Sequence, residues 1–513
     1  MTVASPTTPD GADANLTPGD ATAEIAAKAG RGLSWSLIGT VAVKLGNFAV
    51  SIVIARLLLP SDYGVYAVAL AALHFVMHVN DVGIIAATVQ WRGRIEDMAA
   101  TASAMALAFS VAVFAAFWFL AEPFARLAGV PQAAGVVRVV TIAILIDGAT
   151  AVRAGVIMRE FRQDKLIKAN AAGFVVGAAV TIGLAASMGG PYSFAWGNIA
   201  GAVVTGVLVM VWGRVPLRYG LDRAIARRLL VFGLPLAAGL GVEAVVLNAD
   251  YVVVGHVLGA TVLGFYLMAF NISSWIPTIV TTAVRYVSVA GFSRLAEKDS
   301  AQLSAGVERT IPLLLTGLVP AAVLLSTLAR PLIEVVFGAQ WLPSAGVLSV
   351  LMVLTAIKML TDFAADILIG AGATRATLWI NLCWALTLVP ALVLGAHWGG
   401  AVGTAVAHVI IGLAIALPLT GFALHRAGVR LRAVGRRSVR PLLGGVLTVP
   451  VCLLLGQVPG PAAVPLVVAG LAGLGVYLTT GVAATDRRFA LDKLRPLAAR
   501  LARPRRSDAE ASA

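Results

Sequence analysis

Residues 100–120 read ATASAMALAFSVAVFAAFWFL, an apolar stretch that contains no charged residue. About 20 apolar residues in a helix are enough to cross the hydrocarbon core of a bilayer, which is roughly 30 Å thick. Stretches of this kind recur along the whole chain. Because a helix satisfies its own backbone hydrogen bonds in lipid, we predict that each of these stretches crosses a membrane as an α-helix.

We predict about fourteen transmembrane helices from the lengths of the apolar runs. Six lie in the first half, at 33–57, 66–88, 100–120, 134–158, 169–186 and 192–212. Six lie in the second half, at 230–255, 263–289, 311–328, 347–369, 378–395 and 401–424. A final pair, at 442–455 and 464–480, is short and flanked by Gly and Pro.

This pattern predicts an all-α polytopic membrane protein with five parts. They are a disordered cytoplasmic tail at 1–27, a six-helix lobe at 28–228, a second six-helix lobe at 229–425, two additional spans at 426–485, and a basic cytoplasmic tail at 486–513. Residues 1–27 have no apolar core, which argues against a cleaved signal peptide.

The composition supports the same interpretation. Of the 513 residues, 59% are hydrophobic and only 12% are charged, whereas about 25% of the residues of a soluble domain are charged. A net charge of +14 would suggest nucleic-acid binding only if the basic residues formed a patch on a water-exposed domain, and no such domain is predicted. Cys383 and Cys452 lie in separate apolar runs, so neither a disulfide framework nor a cysteine metal site is indicated.

The distribution of Lys and Arg predicts the orientation, because positive residues are retained in the cytoplasm. Alternate connections carry them, at 92–94, 159–168, 214–228, 294–309, 426–440 and 487–506. These connections share one side if both termini are cytoplasmic, as expected for a multi-pass protein of the bacterial inner membrane. The exceptions on the other side are Arg56, Arg126, Arg138 and Arg330.

An internal repeat is visible when the chain is shifted by 200 residues. Residues 55–69, ARLLLPSDYGVYAVA, then align with residues 255–269, GHVLGATVLGFYLMA. The identical pairs are Leu58/Leu258, Gly64/Gly264, Tyr66/Tyr266 and Ala69/Ala269. In both cases the segment joins the first helix of a six-helix half to the second, as expected for a transporter built from two related lobes.

The same segments carry a family resemblance. They are Ala55-Arg56-Leu57-Leu58, Asp62-Tyr63-Gly64-Val65-Tyr66, Asp81-Val82-Gly83, Met158-Arg159-Glu160-Phe161-Arg162, and Asn248-Ala249-Asp250 with Gly259 and Leu263-Gly264-Phe265-Tyr266. In these residues the chain resembles the Wzx-like polysaccharide flippases of the multidrug/oligosaccharidyl-lipid/polysaccharide exporter superfamily. The resemblance covers about 32–424, and its motifs identify a family more firmly than a substrate.

The resemblance implies a two-lobed bundle that moves a polyprenyl-pyrophosphate-linked oligosaccharide to the outer leaflet by alternating access. Polysaccharide polymerase and glycosyltransferase partners are expected, together with contacts to membrane lipids. Burying a pyrophosphate and sugar hydroxyls in hydrocarbon is unfavourable by many kcal/mol. A carrier therefore needs a polar, cationic cavity between its lobes.

Candidate substrate-binding residues are the polar and basic residues within the spans, since ionisable groups are rare at membrane depth. We predict this role for Lys44, Asn47, Arg285 and Lys358. The alternative is that each cation pairs with a neighbouring acid and fastens helices together. That alternative is strong for Lys358, because Asp362 and Asp366 follow it at i+4 and i+8 on the same helix face.

Candidate ion-coupling residues are acids within or near the spans, where a proton or Na⁺ could bind. They are Asp81, Glu243, Asp250, Asp362 and Asp366, and Asp147 belongs to the same acidic set. His74, His78 and Asp81 share a helix face and form a second hypothesis, a proton-responsive stripe. Hydrogen-bonded packing histidines are the alternative, and no His/Cys cluster predicts a metal site.

Two other functions remain open from the sequence. A cation-coupled drug antiporter of the same superfamily would share the lobes and the buried acids. A glycosyltransferase or polymerase would need acid/base groups on a substantial extracytoplasmic loop, and the outer connections at 121–132 and 329–346 are short. We therefore predict no catalytic residues and no cofactor. The chain also has no Walker-type phosphate loop, which points to an ion gradient, the membrane potential or the substrate gradient as the driving force.

Overall fold

A computed structural model describes most of the chain as a helical bundle. The described residues are 46–80, 84–91, 93–160, 162–216, 218–275, 300–370 and 373–482. Within these residues every regular element is a helix and none is a strand. The all-α class predicted from the apolar runs is confirmed.

The first half of the described chain contains eight helices. They are α1 (Gly46–Leu57), α2 (Pro60–Asn80), α3 (Ile84–Gln90), α4 (Ile95–Leu127), α5 (Ala133–Val140), α6 (Ala143–Arg159), α7 (Gln163–Ser187) and α8 (Tyr192–Trp212). Helices α5 and α6 together occupy the span predicted at 134–158, and a turn at 141–142 separates them.

The second half begins with the long helix α9. The helices are α9 (Arg223–Ser273), α10 (Ser300–Thr327), α11 (Ala329–Val336), α12 (Ser344–Gly370), α13 (Thr374–Ile411), α14 (Leu417–Arg426), α15 (Leu431–Leu455) and α16 (Ala463–Thr480). A short 3₁₀ turn, Ala339–Trp341, precedes α12, and a π-helical turn, Gly412–Ala416, connects α13 to α14.

Two of these helices bend where glycine leaves the helical conformation. Gly259 of α9 has φ 83°, and Gly400 of α13 has φ 58°. Both values lie in the left-handed region that glycine adopts without a steric penalty. Each bend falls between two spans that the sequence separates, at 230–255 and 263–289 and again at 378–395 and 401–424. The chain doubles back at each bend, since Tyr251 contacts Phe270 in α9 and Gly395 packs against Gly403 in α13.

Ten segments of the described chain are long and apolar enough to cross a membrane, and one of them, Arg375–Arg426, contains the bend at Gly400. Their outward faces are apolar, with Leu386, Leu454 and Leu471 each about two-thirds exposed. Large exposed apolar surfaces mark contact with lipid. The chain is therefore a multi-pass membrane protein.

Small residues explain how neighbouring spans pack closely. Gly177 of α7 and Gly197 of α8 face each other so tightly that a Cβ on either would lie 2.8 Å from the other's carbonyl oxygen. Close backbone approach of this kind supplies dispersion contacts between helices that gain nothing from leaving water. The C-terminal helices follow the same rule, since Gly445 of α15 packs against Val319 of α10.

The bundle has two chemically distinct ends. We call the end that carries Arg159, Arg228 and Arg437 the basic end. At the other end, which we call the opposite end, His256 lies 2.8 Å from the carbonyl oxygen of Leu127, so the connections after α4 and within α9 meet there. Exposed Trp and Tyr side chains, which are typical of membrane interfaces, lie near both ends. Trp118, Tyr192, Trp196 and Trp398 lie near this one, and Tyr219 and Trp379 lie near the basic end.

The division into five parts remains a prediction. Helices α7 and α8 pack together in the first half, α12 and α13 pack together in the second, and the α15–α16 pair packs on α10. The predicted start of the first span and most of the predicted span at 263–289 lie outside the described residues, as do both tails. Helix α2 packs along α9, so the two halves are joined directly.

Candidate functional site

The two repeat segments found in the sequence pack against each other at the opposite end. A Cβ built on Gly64 of α2 would lie 2.5 Å from the carbonyl carbon of Ala260, and one on Gly264 of α9 would lie 2.7 Å from the carbonyl carbon of Pro60. Non-bonded carbon atoms prefer separations of about 3.5–4.0 Å. Only glycine fits at either position, and the contact is reciprocal, as expected for two segments related by pseudo-symmetry.

The turn before α2 is held by the Asp62 carboxylate of the family motif. Asp62 Oδ2 accepts a hydrogen bond of 3.1 Å from the backbone N–H of Leu59, and the N–H of Asp62 donates to the Leu59 carbonyl at 3.0 Å. Asn and Asp commonly close turns by bonding to nearby backbone in this way. The turn fixes the angle between α1 and α2, and it therefore sets the position of Gly64.

The carbonyl of Ala55, in the last turn of α1, is satisfied from the second half of the chain. Gln340 Nε2 and the indole N–H of Trp341 each donate to this oxygen at 2.8 Å. The last carbonyls of a helix have no partner within it, so these side chains complete the α1 terminus across 285 or more residues of sequence. We call Gly64, Gly264, Gln340 and Trp341, together with the Ala55 carbonyl, the seal.

Aromatic rings surround the seal. The Trp341 ring is fully buried and has an edge contact with Tyr63 at a centroid distance of 4.8 Å and with Phe265 at 6.1 Å. Edge-to-face pairs stabilise beyond their buried area, by about 0.5–1.5 kcal/mol each. Trp341 therefore bridges the α2 and α9 segments that also meet through the two glycines.

Arg56 adds a further link at the opposite end. Its Nη2 donates to the Val336 carbonyl at 3.3 Å and lies 3.5 Å from the Val335 carbonyl, in the last turn of α11. A cation at a helix C-terminus is favourable because the partial negative charge of the helix dipole lies there. This contact explains the presence of one of the four arginines that depart from the predicted charge distribution.

Polar side chains also connect the halves at membrane depth. His74 of α2 donates from Nδ1 to Asn248 Oδ1 of α9 at 3.1 Å, and Asn248 itself is buried. The stripe predicted for His74, His78 and Asp81 stays a prediction, because Asp81 and the His78 side chain lie outside the described part of the chain. His74 itself is exposed and is hydrogen-bonded to the second half.

A second polar group lies within the first half. Asn80 Nδ2 donates to Asp147 Oδ2 at 3.1 Å, and Ser110 Oγ lies 2.8 Å from Asn80 Oδ1. The three residues belong to α2, α4 and α6. Close packing of Gly148 against Ser110 gives them room to meet. The spacing of Asn80 and Ser110 in the sequence contains no signal for this meeting, which depends on how three separate helices pack.

Asp250, a predicted ion-coupling residue, is almost fully buried in α9. Its Oδ1 accepts a hydrogen bond of 3.0 Å from the backbone N–H of Tyr251. Its Oδ2 and the nearby hydroxyl of Tyr266 are both buried, and neither has a hydrogen-bond partner within the described residues. Tyr266 lies two residues after Gly264 of the seal. The acid is thus close to Tyr266, in the segment of α9 that contacts α2.

The remaining predicted site residues are dispersed. Lys358 Nζ lies 3.6 Å from Asp362 Oδ1 on α12, so the predicted cation has the acid partner that the sequence spacing suggested. Asp366 lies one turn further along the same helix, and Asn47 lies at the start of α1, partly buried. Lys44, Arg285 and Asp81 lie outside the described residues, as does the side chain of Glu243, so these assignments remain predictions.

The basic end contains an arginine that is buried rather than exposed. Arg153 of α6 donates from Nη2 to the Val215 carbonyl at 2.6 Å. Its side chain packs on Gly213, where an added Cβ would lie 2.6 Å from the Arg153 Cβ. Beside it, Arg159 donates to the Trp91 carbonyl at 2.6 Å, and the Arg228 guanidinium lies 4.6 Å from the Trp91 ring centre. These contacts fasten α6 to the connections on either side.

The described residues contain no group of three or more His, Cys, Asp or Glu side chains that could hold a metal ion. Cys383 and Cys452 are both free thiols. The Cys452 thiol is buried against α16, where its sulfur lies 3.7 Å from the Ala469 carbonyl. In the described chain, the glycine contacts and the Gln340 and Trp341 hydrogen bonds at the opposite end join the first half to the second.

Comparison with known proteins gives a consistent result. Residues 53–346, more than half of the chain, match the profile of a family described as "Polysaccharide biosynthesis protein". The chain is 27% identical to the Succinoglycan biosynthesis transport protein ExoT of Rhizobium meliloti (strain 1021) over 506 residues, which cover 94% of this chain and 98% of the relative. It is 20% identical to the Lipopolysaccharide biosynthesis protein WzxC of Escherichia coli (strain K12), over 74% of this chain and 77% of the relative.

A solved structure with a similar fold is the lipid II flippase MurJ in an inward closed conformation. The TM-score is 0.73 at 13% sequence identity, and the match covers 90% of this chain and 98% of the other. At that identity the similarity shows the fold alone. The match extends over nearly all of the solved chain, so the two molecules share their architecture from end to end.

Proposed function

The chain belongs to the polysaccharide biosynthesis protein family, and on that premise we propose that it is a flippase. Its substrate is a polyprenyl-pyrophosphate-linked oligosaccharide, which it moves from the cytoplasmic to the outer leaflet of the bacterial inner membrane. The family match and the WzxC relative confirm the resemblance drawn from the 55–66 and 248–266 segments. Relatives named for succinoglycan biosynthesis transport and for lipopolysaccharide biosynthesis support a glycan substrate.

The observation that carries the mechanism is the seal. Two segments related by the internal repeat meet at Gly64 and Gly264, and Gln340 and Trp341 reach from one half of the chain to the α1 terminus of the other. In the proposed cycle these contacts close the exit at the opposite end, which we assign to the outer face, with both termini cytoplasmic. Transport then requires that the contacts separate, as in a two-lobed carrier that rocks about a central site.

The substrate sets a physical requirement on the central cavity. A pyrophosphate must exchange its hydration shell for protein donors or cations, because burying it unpaired is prohibitive. We propose that Lys44, Asn47, Arg285 and Lys358 meet this need. Lys358 lies 3.6 Å from Asp362 and both side chains keep solvent access. The lysine therefore has the freedom to exchange its carboxylate for the phosphate of the substrate.

Ion coupling is the second part of the proposal. Asp81, Glu243, Asp250, Asp362 and Asp366 are the acids assigned to a proton or Na⁺. Asp250 is the best supported of them, because it is buried next to Tyr266 in a helix that forms the seal. A carboxylate that gains or loses water access as the seal opens would bind a cation differently in the two states. A ligand shifts a conformational equilibrium only through such a difference.

The proposal assigns transport to the chain and no bond-making step. Glycosyltransferases that complete the lipid-linked unit and a polymerase that consumes it would be functional partners. The competing function is a cation-coupled drug antiporter of the same superfamily, which would use the same lobes and the same seal. A transport assay that offers both kinds of substrate separates the two.

The test is a flipping assay in proteoliposomes that contain a polyprenyl-pyrophosphate oligosaccharide, with wild type compared with Lys358→Ala. We expect wild type to translocate the lipid and Lys358→Ala to lose roughly 10- to 150-fold in rate, since one charge-assisted contact contributes roughly 1.5–3 kcal/mol. Lys168→Ala is the matched control, because Lys168 is an exposed lysine paired with Asp164 at i+4. Efflux of cationic drugs without lipid translocation would favour the antiporter.

A further inference from the structure

The four arginines at the opposite end differ in how they are held. Positive side chains are disfavoured on the outer side of a membrane protein, so each one needs a reason to be there. Arg126 pairs with Glu122 at i+4. Arg138 donates to the Trp118 carbonyl at 3.1 Å and lies 5.7 Å from the centre of the same Trp118 ring. Arg56 donates to the last carbonyls of α11.

Arg330 is the exception among the four. It lies in the first turn of α11 and is exposed, and within the described residues it has no hydrogen bond, ion pair or ring contact. Glu334 follows one turn later, but the two side chains form no ion pair within 4.0 Å. The guanidinium therefore presents its donors to whatever occupies the space beside it.

That space is a cavity of about 490 Å³ between the end of α10, α11 and the start of α12. Its polar lining consists of Arg330, Thr327 and Ser349, and Leu342, Pro343, Ala345 and Gly346 complete it. The cavity is open to its surroundings, and its volume lies within the range of about 300–1,000 Å³ that is common for small-molecule sites. The hydroxyls of Thr327 and Ser349 already donate to backbone carbonyls, so Arg330 is the free donor of this lining.

We infer that this cavity binds the headgroup of an anionic phospholipid from the leaflet at the opposite end. Arginine offers a planar fork of donors that matches two phosphate oxygens, and its charge is weakly hydrated. The mixed polar and apolar lining fits an amphiphile better than a free ion. The cavity also lies at an end of the bundle with exposed tryptophans, Trp118, Trp196 and Trp398, and lipid headgroups are found at such interfaces.

The cavity adjoins the seal in sequence and in space. Leu342 and Pro343 of its lining directly follow Gln340 and Trp341, which hold the Ala55 carbonyl. A bound headgroup would thus contact the segment that must move when the seal opens. This inference goes beyond the proposed flippase function and does not depend on it, because the ligand is a bulk lipid and not the transported glycan.

The experiment measures binding of short-chain phosphatidylglycerol to the full chain in phosphatidylcholine nanodiscs. We expect Arg330→Gln to weaken binding on the order of tenfold, as for the loss of one charge-assisted contact. Ala345→Phe, which fills the cavity and leaves Arg330 in place, should weaken binding as well. Arg126→Gln is the matched control and should bind like wild type, because it removes an equal charge from the same end.

Thermal unfolding of each variant in the same nanodiscs establishes that it is folded. Unchanged binding in Arg330→Gln would overturn the inference. Loss in Arg330→Gln with full binding in Ala345→Phe would also overturn it, because binding would then reflect surface charge and not the cavity. Competition by inorganic phosphate at the concentration of the lipid would show that the site takes a free anion instead of a headgroup.

Discussion

Replacing Gly264 with alanine should open the seal. In the sealed conformation the new Cβ would lie 2.7 Å from the carbonyl carbon of Pro60, at least ~0.8 Å closer than ordinary van der Waals contact. The atom in the way is backbone, so no side-chain rotation relieves the overlap and α2 must move away from α9. Overpacking of this kind is unfavourable by typically 1–3 kcal/mol.

That energy acts on one conformation only. In the open state that we propose, the two halves separate at this end, so Gly264 would no longer face Pro60 and the methyl group would meet no backbone. A penalty of about 1–3 kcal/mol confined to the sealed state lowers the ratio of sealed to open molecules by roughly 5- to 150-fold. The substitution is therefore expected to shift a population and to leave the individual helices folded.

The assay is pulsed electron–electron double resonance, which measures the distance between two spin labels. The labels are placed at the opposite end, one on each half. Gln132 and Trp398 are exposed there and can be labelled as cysteines after the two native cysteines have been replaced. Gly264→Ala should move the distance distribution towards longer separations than those of wild type. Gly183→Ala is the matched control, since a Cβ at this helical glycine meets nothing within 4 Å. Identical distance distributions for Gly264→Ala and wild type would show that the close contact at Gly264 does not hold the two halves together.

Two further predictions concern single side chains. Trp341→Phe keeps a buried aromatic ring but removes the indole donor to the Ala55 carbonyl. We expect the sealed state to lose about 0.5–1.5 kcal/mol of stability and the label distances to shift less than in Gly264→Ala. A shift as large as that of Gly264→Ala would contradict this prediction. Arg153→Ala removes a buried guanidinium and its 2.6 Å bond to the Val215 carbonyl, and we expect a lower unfolding temperature from a loss of about 2 kcal/mol, with no change in the label distances.

The spans were predictable from the sequence because a membrane helix must be both apolar and long. The stretch at 100–120 lies within α4, and the final pair corresponds to α15 and α16. The bends within α9 and α13 were harder to define. A helix that turns at a single glycine, such as Gly259, keeps its apolar character on both sides, so hydropathy alone does not show how the chain is connected there.

The repeat was the most informative signal for the candidate site. It identified Gly64 and Gly264 as equivalent positions, and the structure brings these two glycines into reciprocal contact. What the repeat could not supply was the third partner. Gln340 and Trp341 have no counterpart in the aligned segments, and their bonds to Ala55 span 285 and 286 residues, a separation at which no local pattern carries information.

The candidate ionisable residues show a different limit. The i+4 spacing of Lys358 and Asp362 correctly predicted their ion pair, because helix geometry alone sets that distance. The same reasoning did not anticipate that Asn80 would meet Asp147, because they lie on different helices whose packing is determined by many small residues. Asp147 was therefore recognised from the sequence, whereas its partner Asn80 was found only in the fold.

We propose that this chain carries a lipid-linked glycan across the membrane. The most direct measurement follows a polyprenyl-pyrophosphate oligosaccharide in vesicles that contain the wild-type chain, using a membrane-impermeant reagent that modifies sugars on the outer surface only. We predict that the accessible fraction changes with time in these vesicles and stays constant in vesicles without protein. An accessible fraction that stays constant in both, with wild type shown to be folded, would contradict the claim.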